Sequence, residues 1–494
     1  MPPSLVEWLP EEHLVWTVLG AVEQMDLTGF REGYRLGGAG RAPYDPAMLV
    51  ALLLYAYARG NRSSRQIERA CWEDVAYKLI CAMRVPDHST IAEFRRRHES
   101  EIAELFDQVL GLCKEAGLVK VGVIMVDGTK IKANASMDQN RSFSGVVREI
   151  LREAEETDRR EDELYGDKRG DELPEQLRTA EGRKAALAEA KLRIEERKGR
   201  PVGGEESDPE VKIEPTGAVS GKGGRREWHR VGRHQLEEHR RQEGRAIPRD
   251  REDRLFEAAG RLEANHRALL AANAVYEHRR ATERDKLGRV MKGYSKPYSP
   301  PQLPEGTINL SDPDSRVMRS KGLPHRQAYN VQLAVSEQQI ILAAEISLEA
   351  ADFGQLEPML DTTLEHLSRQ GVTGQPDAVV GDAGYWHTRQ IESITDRGIE
   401  VLIPPDGASR EGKRPGWEHE RYERMREKLA TEAGRKLYGL RKTTIEPVFG
   451  QIKYNRRVDR FMRRGRAAVH SELRLVAATH NMLKLHNHWI ANTS

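Results

Sequence analysis

Three acidic residues stand in contexts that suit phosphoryl-transfer chemistry. Asp127 closes an apolar run in "VGVIMVDGTKIKANAS", Asp382 ends a short apolar segment in "DAVVGDAGYW", and Glu446 lies in "TTIEPVFGQIKYNRR". Carboxylates converging from separated segments are what a two-metal site needs. Mg²⁺ takes hard oxygen ligands, keeps several waters and relies on substrate phosphate for the rest of its shell. Two such ions activate the attacking oxygen and stabilise the leaving one, and they keep ionised carboxylates that would otherwise repel. Each acid also has a plain structural reading. Asp127-Gly128 between hydrophobic runs is a hairpin signal, Asp382 before small residues suits a turn, and Glu446 before Pro447 suits a helix start favoured by the dipole. The order and context of all three together favour a shared site.

The surroundings of Glu446 add basic donors. Glu446 and Lys453 are seven residues apart, two helical turns, so both can face one way. Tyr438 and Arg441 lie one turn apart upstream, and Arg456, Arg457, Arg460, Arg463, Arg464 and Arg466 follow. From Gln451 to His470 seven Lys/Arg face one acid, Asp459. Such donors beside a carboxylate metal site suit a nucleic-acid backbone held next to the chemistry. A basic surface helix is the alternative, and it explains the arginines but not their position.

Strands must carry the first two acids. Residues 119–136 read as strand, turn and strand, with "YNVQLAV" the expected partner of 121–127. "AYNVQLAVS" and "IILAAEISLEA" flank "EQQ" as a hairpin; a helix over "FGQLEPMLDTTLEHLSRQG", a strand to Asp382, a helix over "TRQIESITDRG" and the strand "IEVLIP" follow. This is an α/β sheet pattern. Asp352, Asp312 and Asp314 are competing acids; Asp352 is expected to cap the helix after it. Residues 1 to about 118 read as helical: in "YDPAMLVALLLYAYARG" Asp45 caps, Pro46 suits the first position and Gly60 the exit. "SRQIERACWEDVAYKLI" and "PDHSTIAEFRRRH" continue a helix-turn-helix-like bundle that suits DNA or forms a plain helical domain. Residues 151–200 hold fifteen acids and thirteen bases, and the whole stretch 145–305 reads as a charged helical, partly disordered insertion with too few apolar residues for its own core. From Gly416 the chain is again helical.

Composition excludes several classes. With 494 residues, 38% of them hydrophobic, two or three domains can each bury a core. Cys71, Cys81 and Cys113 form no CxxC and leave one odd, against a disulfide framework or zinc site. No stretch approaches a membrane span and the N-terminus lacks a signal-peptide pattern. The expectation is a soluble, cytoplasmic protein without a membrane partner. Net charge is only +2, so a polyanion would meet a local basic face.

The succession "VDGTKIKANAS", "YNVQLAV", "VVGDAGYW" and "IEPVFGQIKYNRRVDRFMRRG" closely resembles bacterial DDE transposases of insertion sequences. "YDPAMLVALLLYAYARGNRSSRQIERACWEDVAYKLI" with "PDHSTIAEFRRRH" resembles the helical N-terminal domain of that group. The resemblance implies a ribonuclease-H-like mixed sheet with flanking helices at 119–144 and 306–488, preceded by the DNA-binding helical domain 1–118 and interrupted by the insertion 145–305. It implies that Asp127, Asp382 and Glu446 are the catalytic, metal-binding triad for two Mg²⁺, with Mn²⁺ as a substitute. A Tyr-Arg-Glu-Lys signature falls on Tyr438, Arg441, Glu446 and Lys453, with four residues between Arg441 and Glu446 where the signature has three. Tyr438, Arg441, Lys453, Arg456, Arg457 and Arg460 then form the DNA-binding set. The implied partners are double-stranded DNA, at inverted-repeat ends and target, and further copies of the chain in a homodimer or higher multimer, in a nucleoid-associated bacterial setting. A ribonuclease-H-like nuclease without strand transfer, and a decayed transposase that only represses, remain open.

Overall fold

The computed structural model describes residues 5–32, 34, 43–153, 182, 185, 232, 235–240, 247–248, 250–285, 287–290, 297–319, 322, 324–407 and 420–493. Seven helices come first: α1 (Leu14–Gln24), α2 (Thr28–Arg31), α3 (Pro46–Ala58), α4 (Ser64–Glu73), α5 (Val75–Ile80), α6 (His88–Arg97) and α7 (Glu99–Glu115). Then come β1 (Val123–Lys132), β2 (Asn140–Ser142), α8 (Arg251–Thr282), β3 (Thr307–Asn309), β4 (Arg316–Met318), β5 (Arg326–Ser336) and β6 (Ile341–Ser347). The chain continues through α9 (Leu356–Arg369), β7 (Ala378–Val380), α10 (Thr388–Asp396) and β8 (Glu400–Leu402). It ends with α11 (Glu420–Ala430), α12 (Glu432–Gly439), α13 (Ile445–Gly450) and α14 (Arg466–Thr493). Two compact units result, residues 1–134 with 315–494, and residues 135–314. Most of the charged stretch 151–250 lies outside the described residues. No helix among the described residues is long and apolar enough to cross a membrane.

In the first unit α3 is punctuated as the sequence predicts: the Asp45 carboxylate accepts from Ala47 N–H at 3.0 Å, Pro46 begins the helix and Gly60 leaves it at φ +77°. Eleven of its 13 residues are buried, so it is wrapped on all sides. "SRQIERACWEDVAYKLI" is two helices, because the Asp74 carboxylate ends α4 and caps α5 by accepting from Ala76 N–H at 2.8 Å. α14 packs on α7, α3 and β6, which joins the N-terminal helices and the sheet in one core. Each leucine buried there contributes about 2 kcal/mol.

The sheet has the order β4–β5–β1–β7–β8, with β6 also on β5. β1 is antiparallel to β5 from Ile124↔Ser336 to Lys132↔Ala328, whereas its parallel pairing with β7 stops at Met125↔Val380. β7 is parallel to β8. On its other edge β5 takes β4 at Arg326–Ala328 and β6 at Asn330–Val335. The long-range pairing of β1 with "YNVQLAV" is therefore present. The expected strand, turn and strand is a single ten-residue strand instead, because β5 pairs without interruption across Asp127↔Leu333 and Gly128↔Gln332. A continuous partner leaves an Asp-Gly pair no reason to turn.

The second unit contains a small core of its own. Phe143, Val146, Val147 and Ile150 pack with Leu255, Ala258, Ala259 and Leu262 of α8 and with Ile308 and Leu310. The Asp250 carboxylate caps α8, accepting from Glu252 N–H at 3.0 Å and Asp253 N–H at 3.2 Å. β2 pairs with β3, and Asn309, fully buried, donates to Ser136 O and Asn140 Oδ1. The sequence suggests too few large apolar side chains for a core. Alanines at helical spacing do part of that work here, since small residues let helices approach closely.

Candidate active site

Asp127 is the fifth residue of β1, where the sheet narrows. Pairing with β7 ends at Met125↔Val380, and two further positions on each strand bring Asp127 beside Asp382. Both acids thus lie just beyond the carboxyl end of β7, the end of the strands at which open α/β sheets take ligands. Asp382 also shapes a turn: its carboxylate accepts from Gly384 N–H at 2.8 Å and caps a 3₁₀ turn at Ala383–Tyr385. Gly128 must lack a side chain, because a Cβ there would overlap Asp352 Oδ1 and Gln332 Nε2. Gly128→Ala is expected to cost about 1–3 kcal/mol through this overpacking. Urea unfolding checks it; an unchanged midpoint would mean that the neighbours give way freely.

Both Asp127 oxygens have protein donors. Oδ1 accepts from Gly128 N–H at 2.8 Å and Oδ2 from Arg441 Nη2 at 2.9 Å. Arg441 is aimed by Tyr438: its Nη1 donates to the Tyr438 hydroxyl at 3.0 Å, and its guanidinium lies 5.5 Å from the ring centroid. Burial pushes the Asp127 carboxyl up to about 6, Arg441 opposes this and the charge of Asp382 adds to it. Two positions along the same face of β1, Thr129 Oγ1 accepts from Lys453 Nζ. Burial lowers the Lys453 ammonium from its usual value, Arg326 and Lys130 push the same way, and Asp127 opposes them.

Glu446 lies in the first turn of α13, which packs against β1, but the residue itself is exposed. Among the described residues no three of His, Cys, Asp and Glu are close enough together to hold a cation. The structure thus brings Asp127 and Asp382 together and leaves Glu446 on the surface of α13. The chain then widens into a π-helical turn, Gln451–Asn455, that carries Lys453; such turns recur at functional sites.

The basic segment divides in two. Arg456, expected to contact DNA, is buried: its Nη1 donates to Val476 O and Thr479 Oγ1, both at 2.9 Å. Burial lowers its guanidinium to about 10. It fastens the segment to α14 and has no surface to offer a phosphate, which removes it from the DNA-binding set. Arg457, Arg460 and Arg464 are exposed. Their backbone is held firmly. Arg62, buried, donates to Arg457 O at 2.7 Å, Arg460 O at 2.8 Å and Glu472 Oε1 at 2.8 Å. Glu472 in turn accepts from Met462 N–H and Arg463 N–H.

Sequence reasoning missed Arg62 and Glu472 and misplaced Asp352. Residue Gln355 caps α9 and offers no side-chain hydrogen bond. Asp352 Oδ1 instead accepts from Asn330 Nδ2 at 2.9 Å and Gln332 Nε2 at 2.8 Å. Two amides at alternate positions of the apolar run "YNVQLAV" were the available signal, since buried amides need partners.

The paired aspartates are hard oxygen donors pressed together against their charge, a set that suits a divalent cation once Arg441 yields Asp127 Oδ2. Residues 3–97 match the family described as a transposase domain (DUF772), and residues 308–482 match the transposase DDE domain. No curated protein and no solved structure matches the chain. The second match contains Asp382, Glu446 and Lys453, while Asp127 falls between the two. The chain belongs to the DDE transposases of insertion sequences.

Proposed function

We propose that the sheet-containing unit is a ribonuclease-H-like catalytic domain that cuts DNA at the ends of its own element and joins the freed ends to a target. The observation that carries this reading is the adjacency of Asp127 and Asp382 at the end of β7, with Arg441 and Lys453 beside them. The strand succession β6–β5–β1–β7–β8 supports it. Mg²⁺ held by Asp127 and Asp382, with Glu446 completing the shell, would supply activation of the attacking oxygen and stabilisation of the leaving one. Arg441, aimed by Tyr438, exchanges Asp127 for a phosphate oxygen as DNA arrives. Lys453 holds the adjoining phosphate, and Arg457 and Arg460 carry the backbone away from the site. Water attacks the phosphodiester at the element's end and releases a 3′-hydroxyl. That hydroxyl then displaces a 3′-oxygen in the target by in-line attack. The helical region 1–118 contributes to holding the ends, and the protein works as a multimer on double-stranded DNA.

The test is purified protein with end-containing duplex, target plasmid and Mg²⁺. Asp127→Asn, Asp382→Asn and Glu446→Gln are each expected to lower cleavage by about a thousandfold or more, the scale of several kcal/mol of transition-state charge stabilisation. Cleavage that survives Asp127→Asn or Asp382→Asn overturns the assignment; survival in Glu446→Gln alone reduces the site to two carboxylates. Cut but never joined products would make the protein a nuclease without strand transfer.

A further inference from the structure

We propose that Asp352 is a positioning residue for strand cleavage, fixing the turn that bears Asp382 through Gln332 and Tyr385. The inference rests on the role proposed above for Asp382. Side chains alternate along β1 and β5, so Gly128, Lys130, Asn330 and Gln332 share the face opposite Asp127. The absent side chain at Gly128 opens that face to Asp352. Asp352 Oδ1 accepts from Asn330 and Gln332, while Lys130 Nζ lies 3.4 Å from Oδ2. Gln332, 1% exposed, turns its Oε1 to accept from the Tyr385 hydroxyl, and Tyr385 is fully buried. Tyr385 closes the 3₁₀ turn after Asp382, its N–H donating to Asp382 O at 3.1 Å. A Cβ on Gly384 would lie 2.9 Å from Asp382 Oδ1 and 3.4 Å from Asp352 Oδ2. Both carboxylates therefore abut one small turn at Gly384.

Only an acceptor without protons can serve all three donors. A carboxylate accepts from Asn330 and Gln332 on Oδ1 and from Lys130 on Oδ2. An amide must either drop a side-chain amide or set its NH₂ against the Lys130 ammonium, and that repulsion drives the group out of place. Losing that anchor frees Gln332, then the Tyr385 hydroxyl, then the turn. Asp382 would keep its identity but lose its fixed place. Groups that orient ligating side chains in this way typically change metal affinity or activity 10–100-fold when removed.

The experiment measures Mn²⁺ affinity of the full-length protein by electron paramagnetic resonance, without DNA, alongside thermal midpoints and strand cleavage. The proteins are wild type, Asp127→Asn, Asp352→Asn, Tyr385→Phe and the Asp352→Asn/Tyr385→Phe double variant. Asp352→Asn and Tyr385→Phe are each expected to weaken Mn²⁺ binding about 10–100-fold and cleavage in parallel. The double variant should be no worse than the weaker single, because both interrupt one relay. A merely structural role would lower the midpoint and leave the Mn²⁺ affinity of the folded protein unchanged; that result, or additive losses, overturns the proposal. Tyr385→Phe decides alone if Asp352→Asn does not fold. Unchanged affinity in Asp127→Asn would instead sink the reading of the acidic site itself.

Discussion

Asp127→Asn is expected to stabilise the ligand-free protein while abolishing strand cleavage. The Asp127 carboxyl stands at about 6 in the folded chain against an ordinary 3.8, so the folded state holds this proton more tightly than the unfolded state. The contribution to stability is fully present below pH 3.8 and is lost as pH rises through about 6. Above that window the fold carries a buried charge beside Asp382, at a cost of about 3 kcal/mol for two pKa units. Asparagine has the same shape and carries no charge, but its single oxygen can keep only one of the two donors, Gly128 N–H or Arg441. Its NH₂ faces the other, which returns part of the gain. Denaturant unfolding with chelator present should show a net gain of about 1 kcal/mol at pH 8, the lost acceptor offsetting the rest, and the gain should vanish between pH 6 and pH 4. A variant no more stable than wild type at pH 8 would mean that Arg441 already neutralises the site. Added divalent cation should reverse the order, because it binds the folded wild type and raises its stability by mass action.

Glu472→Ala should unfold the protein more readily than any change on its surface. Glu472 is buried, and its carboxylate accepts from Arg62, also buried, and from two backbone N–H groups, Met462 and Arg463. Removing one member of such a pair leaves a guanidinium without its counter-ion and costs about 3–5 kcal/mol. The N–H groups at 462 and 463 lose their acceptors as well. Thermal unfolding reads the loss, and DNA binding at a temperature where the variant stays folded should weaken, since Arg457 and Arg460 hang from the backbone that Arg62 grips. Glu472→Gln keeps an acceptor and should lose less. A Glu472→Ala protein with an unchanged midpoint would show that Arg62 finds solvent at no cost.

Much of the sheet was legible because strand pairing follows apolar runs and their order. The distant partner of β1, the hairpin of β5 and β6 and the alternation through α9, β7, α10 and β8 all lie in the residue pattern. The straight course of β1 through Asp127-Gly128 was not, since a turn signal is local and the β5 ladder that overrides it comes from residues about 200 positions on. The same limit hid Asp352 from view: its partners are two amides on another strand, and a carboxylate just before a helix reads as a cap. Arg456 shows the converse. Six arginines in one run look equivalent, but only the packing of α14 decides which of them is enclosed.

The inserted unit leaves the sheet after β1 and returns at β4, and Lys132 and Arg316 both stand opposite Ala328, one on each edge of β5. Two strand spacings, about 10 Å, separate the points where that unit is spliced in. Neither register nor strand order depends on the length of chain between them. The unit is in this sense a cassette: an ancestor could acquire, exchange or shed it through a short connection, leaving the acid on β1 and the acid after β7 undisturbed.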